Sequence, residues 1–307
     1  MPADGNSLDE EAYAAGGTGQ ETGQKHQGRP APGTEDLTKV IALLRKQAGV
    51  DFTYYRPSIV RRRVERRIAI SQKHSLDEYA AYLQQSKSEA NALYKDLLIN
   101  VTSFFRDAES YVSLQKNVIP ALLDPRECET PLQAWVPACS TGEEAYSLAM
   151  LFHEEMERRQ CCYDIKIFAT DIDRQALEFA SEGTYPERIA ADVTRERLTR
   201  FFIKRGGKYS VSRQLRESVT FAPQDITKEP PFAKIGLVSC RNLLIYMQPV
   251  LQRQVLSILH AALRPGGYLF LGSSETTGEL AEKFRIIDPK GKIYRSRSPF
   301  PPALQAK

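Results

Sequence analysis

The stretch LQAWVPACSTGEEAYSLAM, residues 132–150, decides the fold of this 307-residue chain. It begins as a short apolar run typical of a buried strand, passes through small residues and one glycine, and continues with helical spacing. Glu143 and Glu144 stand where the strand gives way to the helix. A phosphate-binding loop would not place acids there, because carboxylates repel a pyrophosphate. The stretch therefore predicts a strand, a loop that binds a cationic or hydroxyl-bearing ligand, and a helix.

Further apolar runs follow this stretch, and helical patterns separate most of them. Strands that alternate with helices predict an α/β fold with a parallel, doubly wound sheet. One segment departs from this alternation of strands and helices. Residues from about 200 to 222 contain a Gly-Gly turn between two candidate strands, which predicts an inserted β hairpin. The runs are DIKIFAT (164–170), SVTFAP (218–223), IGLVSC (235–240) and GYLFLGSS (267–274).

Helical patterns fill the chain before this sheet region. Leu37, Val40 and Leu44 follow helical spacing, Pro57 opens a second helix, and Ser75 begins a capping box for a third. We therefore predict a small all-α domain at 36–120, followed by the α/β domain at 130–295. Residues 1–34 are poor in apolar side chains and predict a disordered tail, and 296–307 form a C-terminal tail.

Composition limits the class of protein. The chain is 42% hydrophobic and 26% charged, with a net charge of +4, and no apolar stretch approaches the roughly 20 residues of a membrane helix. The acidic N-terminus lacks the apolar core of a secretory signal, so we expect a cytoplasmic protein. The five cysteines show no CxxC spacing, which favours free thiols and no metal.

Acids follow the ends of three successive candidate strands. Besides the two glutamates, Asp171 ends the second strand, where a carboxylate can accept hydrogen bonds from ribose hydroxyls, and Asp225 ends the third, where it could accept from an adenine amino group. Complementing the helix dipole is an equal alternative for Glu144, and capping a helix is the alternative for Asp173. Acids at three strand ends, without a phosphate loop, indicate a nucleoside ligand that carries no phosphate, and S-adenosylmethionine fits that description.

Five ordered motifs span the two predicted domains. They are NVTSFFRD (100–107), STGEEAYS (140–147), FATDID (168–173), SCRNLLIYM (239–247) and LRPGGYLFLGSSE (263–275). RPGG by itself would indicate only the wider methyltransferase class. With all five motifs, the chain resembles the CheR-type chemotaxis receptor methyltransferases over about residues 36–295. That family consists of S-adenosylmethionine-dependent protein-glutamate O-methyltransferases, so the resemblance implies a Rossmann-like class I methyltransferase domain behind a small all-α domain.

The resemblance also implies roles for single residues. Arg106 is expected near the cofactor's carboxylate and Glu143 near its amino group, while Phe104 and Phe105 are expected to pack in the core. Arg106, Asn242 and Tyr246 are implied in catalysis, the last two beside the transferring methyl group. The implied cofactor-binding residues are Asn100, Thr102, Arg106, Ala138, Ser140, Thr141, Gly142, Glu143, Asp171, Ile172, Asp225, Ile226, Asn242 and Leu243.

The implied substrate is a glutamate on the cytoplasmic domain of a chemoreceptor. Its carboxylate has a reference pKa of about 4.3 and is already ionised, so no general base is required. Arg62, Arg63, Arg66 and Arg67 in RRRVERR (61–67) are expected to hold the acidic receptor helix, with a solvated face as the alternative. We expect a monomer that does not insert into the membrane.

Two rival functions involve nucleic acid, which we do not expect as a partner. EPPF (229–232) imitates the motif of nucleic-acid amine methyltransferases, but it precedes the strand IGLVSC, whereas that motif should follow it. The second rival is a binding module that holds phosphates with the arginine helix and has an inactive sheet domain. The intact set of Arg106, Asp171 and Asn242 argues against an inactive domain.

Overall fold

The computed structural model describes residues 34–124 and 131–297. The predicted tails at 1–34 and 296–307 lie almost entirely outside the described residues. Within the described part of the chain, no helix is long and apolar enough to cross a membrane.

The described chain contains an N-terminal group of helices followed by alternating strands and helices. The helices are α1 Thr34–Ala48, α2 Pro57–Ile70, α3 Leu76–Gln85, α4 Lys87–Leu97, α5 Ala108–Asn117, α6 Ile119–Leu122, α7 Glu143–Arg159, α8 Arg174–Glu182, α9 Arg195–Phe201, α10 Arg213–Glu217 and α11 Pro249–Ala262. The strands are β1 Leu132–Pro137, β2 Ile165–Asp171, β3 Thr184–Pro186, β4 Phe202–Arg205, β5 Lys208–Val211, β6 Val219–Pro223, β7 Ile235–Cys240, β8 Leu263–Leu271, β9 Phe284–Asp288 and β10 Ile293–Ser296.

Helices α1 to α4 share one apolar core, which includes the α2 residues Val60 and Val64. The predicted helix starts at Pro57 and Ser75 are confirmed. Ser75 caps α3 by accepting a hydrogen bond from the backbone N–H of Glu78, at 3.1 Å. The Glu78 carboxylate accepts from the N–H of His74 instead of that of Ser75, so the capping box is only half formed.

In residues 34–124 and 131–297 the main sheet has seven strands, in the order β6-β2-β1-β7-β8-β10-β9. The first five are parallel, as predicted, but β10 pairs antiparallel with both β8 and β9. The sequence pattern predicts only these five strands of the main sheet, so it misses the antiparallel β9 and β10 at one edge. Only residues 289–292 join β9 to β10, and a connection that short cannot make the crossover that parallel strands need.

The insertion into the sheet domain begins before the predicted range and ends before that range does. β4 and β5 form the predicted hairpin around Gly206 and Gly207, and β3 adds a third antiparallel strand. The predicted range 200–222 wrongly included β6, which pairs with β2 in the main sheet. β3 pairs with β5 across more than twenty residues of sequence. No local sequence pattern predicts this pairing. We call residues 184–217 the inserted region.

The central strands β1 and β7 of the main sheet are buried on both faces. In β1, Ala134 and Val136 belong to one apolar core and Trp135 to the other. The first core also contains the side chains of α5 and α6, such as Tyr111 and Leu114. This packing favours a domain boundary close to residue 98, earlier than the predicted 120, although the domain limits stay a prediction.

A short strand-like contact attaches the helical domain beside the end of β7. Tyr55 forms an antiparallel bridge with Met247. The N–H of Arg56 donates to the carbonyl of Tyr246 at 2.9 Å, and the N–H of Gln248 donates to the carbonyl of Tyr54 at 2.8 Å. The loop between α1 and α2 therefore lies against the loop that follows β7, at the edge where a ligand site is expected.

Arg67 does not belong to the exposed arginine face that the sequence predicts. Its guanidinium donates to both carboxylate oxygens of Glu89, at 2.9 and 2.7 Å, and the Tyr79 hydroxyl donates to the same carboxylate at 2.8 Å. Burial would raise the pKa of Glu89, but these hydrogen bonds hold it below its usual value. Arg67 therefore stabilises the helical core and is withdrawn from the substrate-binding set.

Replacing Arg67 with alanine should destabilise the protein by about 3 kcal/mol, because it leaves the buried Glu89 carboxylate without its cation. Arg66→Ala is the matched control on the same helix, and its exposed side chain predicts a change within about 0.5 kcal/mol. Urea unfolding measures the free energy of unfolding of both variants. Equal stabilities would contradict the structural role of Arg67.

Candidate active site at the strand ends

Two adjoining cavities lie beyond the carboxyl ends of β1, β2, β6 and β7. They measure about 810 and 480 Å³ when the open solvent at their mouths is included. Among the described residues, those that line both cavities are Tyr55, Ala138, Asp171, Ile172 and Leu243. Strands β2 and β6 lie on one side of β1, and β7 and β8 lie on the other. The strand order therefore reverses at β1, which makes this the switch point of the sheet.

Most residues predicted to bind the cofactor line these cavities. Three do not: Thr141, Gly142 and Glu143. The predicted residues on the first cavity are Asn100, Thr102, Arg106, Ala138, Ser140, Asp171, Ile172, Asn242, Leu243 and Tyr246. Those on the second are Ala138, Asp171, Ile172, Asp225, Ile226 and Leu243.

The loop after β1 explains why Gly142 and Glu143 face away. Gly142 has a φ of +91°, and a β-carbon there would lie 2.8 Å from the Cβ of Ala180. Its small size therefore serves close packing within the protein, whereas the sequence suggested a close approach of ligand. The Glu143 carboxylate accepts a hydrogen bond from the Thr141 hydroxyl at 2.6 Å and is buried. The predicted contact of Glu143 with a ligand ammonium is not supported.

Glu144, and not Glu143, lines the first cavity. The Ser239 hydroxyl donates to its carboxylate at 2.5 Å. Burial raises the pKa of Glu144 to about 7, although the positive charges of Arg241 and Arg106 act in the opposite direction. A carboxylate with a pKa of about 7 beside a cavity suits an ammonium ligand, because the positive charge of the ligand would favour the ionised carboxylate.

Asp171 ties together the loops that follow β1 and β2. Its carboxylate accepts from the N–H of Ser140 at 2.7 Å and from the N–H of Asp173 at 2.8 Å. Burial raises its pKa, which these backbone donors counteract. Asp173 caps α8, as the alternative interpretation held, and also accepts from the side-chain amide of Asn100 at 2.7 Å. Asp171 thus lies in the wall shared by the cavities, and its contact with a ribose stays a prediction.

Asp225 has fewer acceptor positions left for a ligand than the sequence suggested. One carboxylate oxygen accepts from both the N–H and the hydroxyl of Thr227, at 2.9 and 2.6 Å. The other oxygen lies 3.2 Å from the ammonium of Lys228. Its position on the second cavity still agrees with a place beside adenine.

The sequence did not single out Arg241 and Glu275, although both stand in quoted motifs. Arg241 is buried, lies over the rings of Tyr111 and Phe270, and pairs with Asp107 at 2.8 Å. The Glu275 carboxylate accepts the N–H groups of Gly272, Asn242 and Leu244. These two charges hold the loop after β7, in which Asn242 adopts a φ of +58°.

Tyr55 was also missed, because nothing in the sequence near it indicates a site. It comes from the loop between α1 and α2 and lines both cavities. Burial and the nearby carboxylates of Asp225 and Asp171 raise the pKa of its phenol, so the hydroxyl remains a donor at neutral pH. The bridge to Met247 brings it to the sheet domain.

The residues on the cavities fit a nucleoside that carries a zwitterionic amino-acid group. The first cavity combines the cation of Arg106 with the carboxylate of Glu144, and Asp171 and Asp225 extend the acidic lining to the second. No histidine lines either cavity in the described part of the chain. The arrangement offers recognition of charge and hydroxyl groups, with Tyr246 and Asn242 at the same edge.

Comparison with known protein families gives a match for each of the two predicted domains. Residues 100–293 match the family described as CheR methyltransferase, SAM binding domain, and residues 35–98 match CheR methyltransferase, all-alpha domain. The first match covers well over half of the chain, and the two matches meet between residues 98 and 100.

Three relatives illustrate the similarity. The chain is 39% identical to an uncharacterized 104.1 kDa protein in the hypE 3′ region of Rhodobacter capsulatus, over 86% of this chain and 28% of that protein. It is 30% identical to chemotaxis protein methyltransferase 2 of Vibrio cholerae, over 78% of this chain and 85% of that protein. It is 30% identical to chemotaxis protein methyltransferase 1 of Pseudomonas aeruginosa, over 85% of this chain and 98% of that protein.

The pKa of Glu144 predicts how ligand affinity depends on pH. Binding of S-adenosylhomocysteine should strengthen as the pH rises from about 6 to about 7.5, because the carboxylate must lose its proton to accept from the ligand ammonium. Glu144→Gln should bind about tenfold more weakly at about pH 8 and lose this dependence. Glu143→Gln is the matched control and should keep it. Calorimetric titration at several pH values measures both, and a pH-dependent Glu144→Gln variant would contradict the assignment.

Proposed function

Because the chain belongs to the CheR methyltransferase family, we propose that it methylates glutamate side chains of chemotaxis receptors during sensory adaptation. The methyl donor is S-adenosylmethionine, the cofactor of the domain matched by residues 100–293. The proposed partner is the cytoplasmic domain of a receptor, which makes the cytoplasm the proposed compartment. A monomer is the proposed state, since one chain carries all the residues described at the strand ends.

One observation carries this proposal: the charges on the cavities complement the parts of the cofactor. Arg106 and Glu144 share the first cavity and would receive the carboxylate and the ammonium of the methionine part. Asp171, in the shared wall, would accept from the ribose hydroxyls, and Asp225 with Ile226 would border adenine in the second cavity. Tyr55 adds a donor and an aromatic wall.

The reaction requires the protein to position the two reactants, and it requires no general acid or base. The sulfonium of the bound cofactor supplies an electrophilic methyl group. Glutamate is ionised at neutral pH, with a reference pKa of about 4.3, so the side chains of the site need only align it and exclude water. Tyr246 and Asn242 line the first cavity and are proposed to orient the attacking carboxylate.

Incubation with methyl-labelled S-adenosylmethionine and purified receptor cytoplasmic domains tests the function. Label that is released as methanol by mild alkali marks glutamate methyl esters and supports the proposal. The same incubation with DNA and RNA tests the rival function. Label in nucleic acid, or no transfer to any of several receptors despite cofactor binding, would overturn the proposal.

A mechanism without a general base predicts the kinetics. At saturating cofactor the turnover number should stay flat between about pH 6.5 and about pH 8.5, because the substrate carboxylate is ionised throughout. Tyr246→Phe should lower the turnover number more than it weakens cofactor binding. Steady-state rates across this range, with calorimetry of the variant, measure both effects. A steep rise that disappears in one side-chain variant would reveal a base.

We also propose that the exposed arginines of α2 hold the acidic receptor helix. Arg62 and Arg66 are exposed and Arg63 is half-buried, and Arg67 is excluded by its pairing with Glu89. Helix α2 starts at Pro57, directly after the segment that pairs with Tyr246 and Gln248 beside the first cavity. The arginine fork suits carboxylates, and complementary charge mainly raises the rate of association.

Reversing the charge of Arg62 and Arg66 to glutamate should raise the Michaelis constant for receptor and make the rate less sensitive to salt. Cofactor affinity should stay unchanged. The matched control reverses Arg213 and Arg285, which are exposed on α10 and β9 and give the same change in net charge. Initial rates at low and high salt measure these effects. Wild-type kinetics of the Arg62 and Arg66 variant at low salt would leave α2 as a solvated face.

A further inference from the structure

We propose that the inserted region holds residues 100–107 in the conformation that binds the cofactor, and that Arg197 is a positioning residue for this segment. We call residues 100–107 the cofactor loop. The inference rests on the proposed function, because it takes Arg106 of this loop as the contact for the methionine part of the cofactor. It gives the inserted region a role inside the active site.

The cofactor loop has a backbone that its neighbours must stabilise. Phe105 has a φ of +50° and Asp107 a φ of +59°, a conformation that costs of order 1–3 kcal/mol for residues other than glycine. Arg106 stands between them, and its guanidinium donates to the carbonyl of Val101 at 2.7 Å. A shift of either neighbour would therefore move Arg106 relative to the first cavity.

Phe104 anchors one side of the loop in the inserted region. It is fully buried, and its ring meets the rings of Tyr185 and Phe202 edge-on, with centroids 4.9 and 5.5 Å apart. The Tyr185 hydroxyl donates to the carbonyl of Thr141 at 2.7 Å. Tyr185 on β3 thus contacts the cofactor loop and also the loop after β1, which carries Ser140.

Phe105 is held on the other side by a cation of the inserted region. The guanidinium carbon of Arg197 on α9 lies 4.1 Å from the centroid of the Phe105 ring. Two hydrogen bonds to Glu154 of α7, at 2.7 and 2.9 Å, fix the plane of that guanidinium. The N–H of Phe105 donates to the Ser147 hydroxyl at 3.0 Å, so ring and backbone are both held.

Arg200 supplies a matched control on the same helix. It also pairs with a carboxylate, that of Glu157, and its guanidinium carbon lies 4.6 Å from the ring of Phe201. Phe201 belongs to the inserted region itself. Changes at Arg200 therefore remove an ion pair and a ring contact on the same helix without touching the cofactor loop, although the Arg200 pair is the more exposed of the two.

The experiment compares Arg197→Gln and Arg197→Lys with Arg200→Gln and Arg200→Lys in the full chain. Each protein is titrated calorimetrically with S-adenosylhomocysteine and with 5′-methylthioadenosine, which lacks the amino-acid group. Arg197→Gln should weaken binding of S-adenosylhomocysteine about fivefold, the size expected for losing a cation–π contact that orders the loop. Arg197→Lys keeps a charge beside Glu154 and should show a smaller loss. Affinity for 5′-methylthioadenosine should change less than about twofold, and the Arg200 variants should match the unsubstituted chain.

The paired ligands separate positioning from general destabilisation. Equal losses for both ligands would show that Arg197 only supports the fold, and they would overturn the inference, as would unchanged binding of S-adenosylhomocysteine. If the unsubstituted chain binds neither ligand, the proposed function fails and the inference falls with it. If it binds both and the Arg197 variants bind S-adenosylhomocysteine normally, only the inference fails. Should Arg197→Gln not fold, judged by its urea midpoint, Arg197→Lys decides the outcome.

Discussion

The carboxylate of Asp171 is the point on which the site depends. It receives backbone N–H groups from Ser140, after β1, and from Asp173, after β2. The loop it holds contains three residues with positive φ, namely Ala138, Ser140 and Gly142, and such a loop would not keep its shape without a fixed partner. The parallel register of β1 with β2 brings the two strand ends side by side, so one buried acid can serve both loops. Recognition of a ribose by the same carboxylate would therefore use a group that the fold already holds rigid.

Buried charges around the first cavity likewise serve both the loops and the ligand site. Arg241 and Glu275 both act on the pKa of Glu144, which Arg241 lowers and Glu275 raises, and each of these two residues also makes contacts that shape a loop. Glu275 satisfies three backbone N–H groups after β8 and β7, and Arg241 reaches the cofactor loop through Asp107. A site made of such groups is preorganised, because few side chains have to move when a charged ligand arrives. Burial also raises the pKa of Glu144 to about 7.

The arginines of α2 lie in two different environments, one largely buried and one exposed to solvent. Val60 and Val64 face the helical core, and Arg67 follows them inward to pair with Glu89 and Tyr79. Arg62 and Arg66 remain on the solvent side, where their charge can meet an acidic partner. Breaking a buried pair leaves an uncompensated charge, whereas an exposed arginine can be exchanged with little loss of stability. Stability and binding can therefore be tested separately on the same helix.

The sequence by itself determined the elements and the edge at which they present polar groups. Apolar runs with helical spacing between them predict strands and helices, and the carboxyl ends of parallel strands share one edge, so the pattern alone groups Asp171, Asp225 and the glutamates after β1. Only the tertiary structure decided which side chains face the cavities. Glu143 and Glu144 are about 100° apart on α7, and local spacing does not say which direction holds the ligand. Tyr55, the antiparallel β10 and the pairing of Arg67 with Glu89 all depend on partners brought together by folding. Periodicity records the face on which a residue lies, whereas the identity of a distant partner follows from packing of the whole chain.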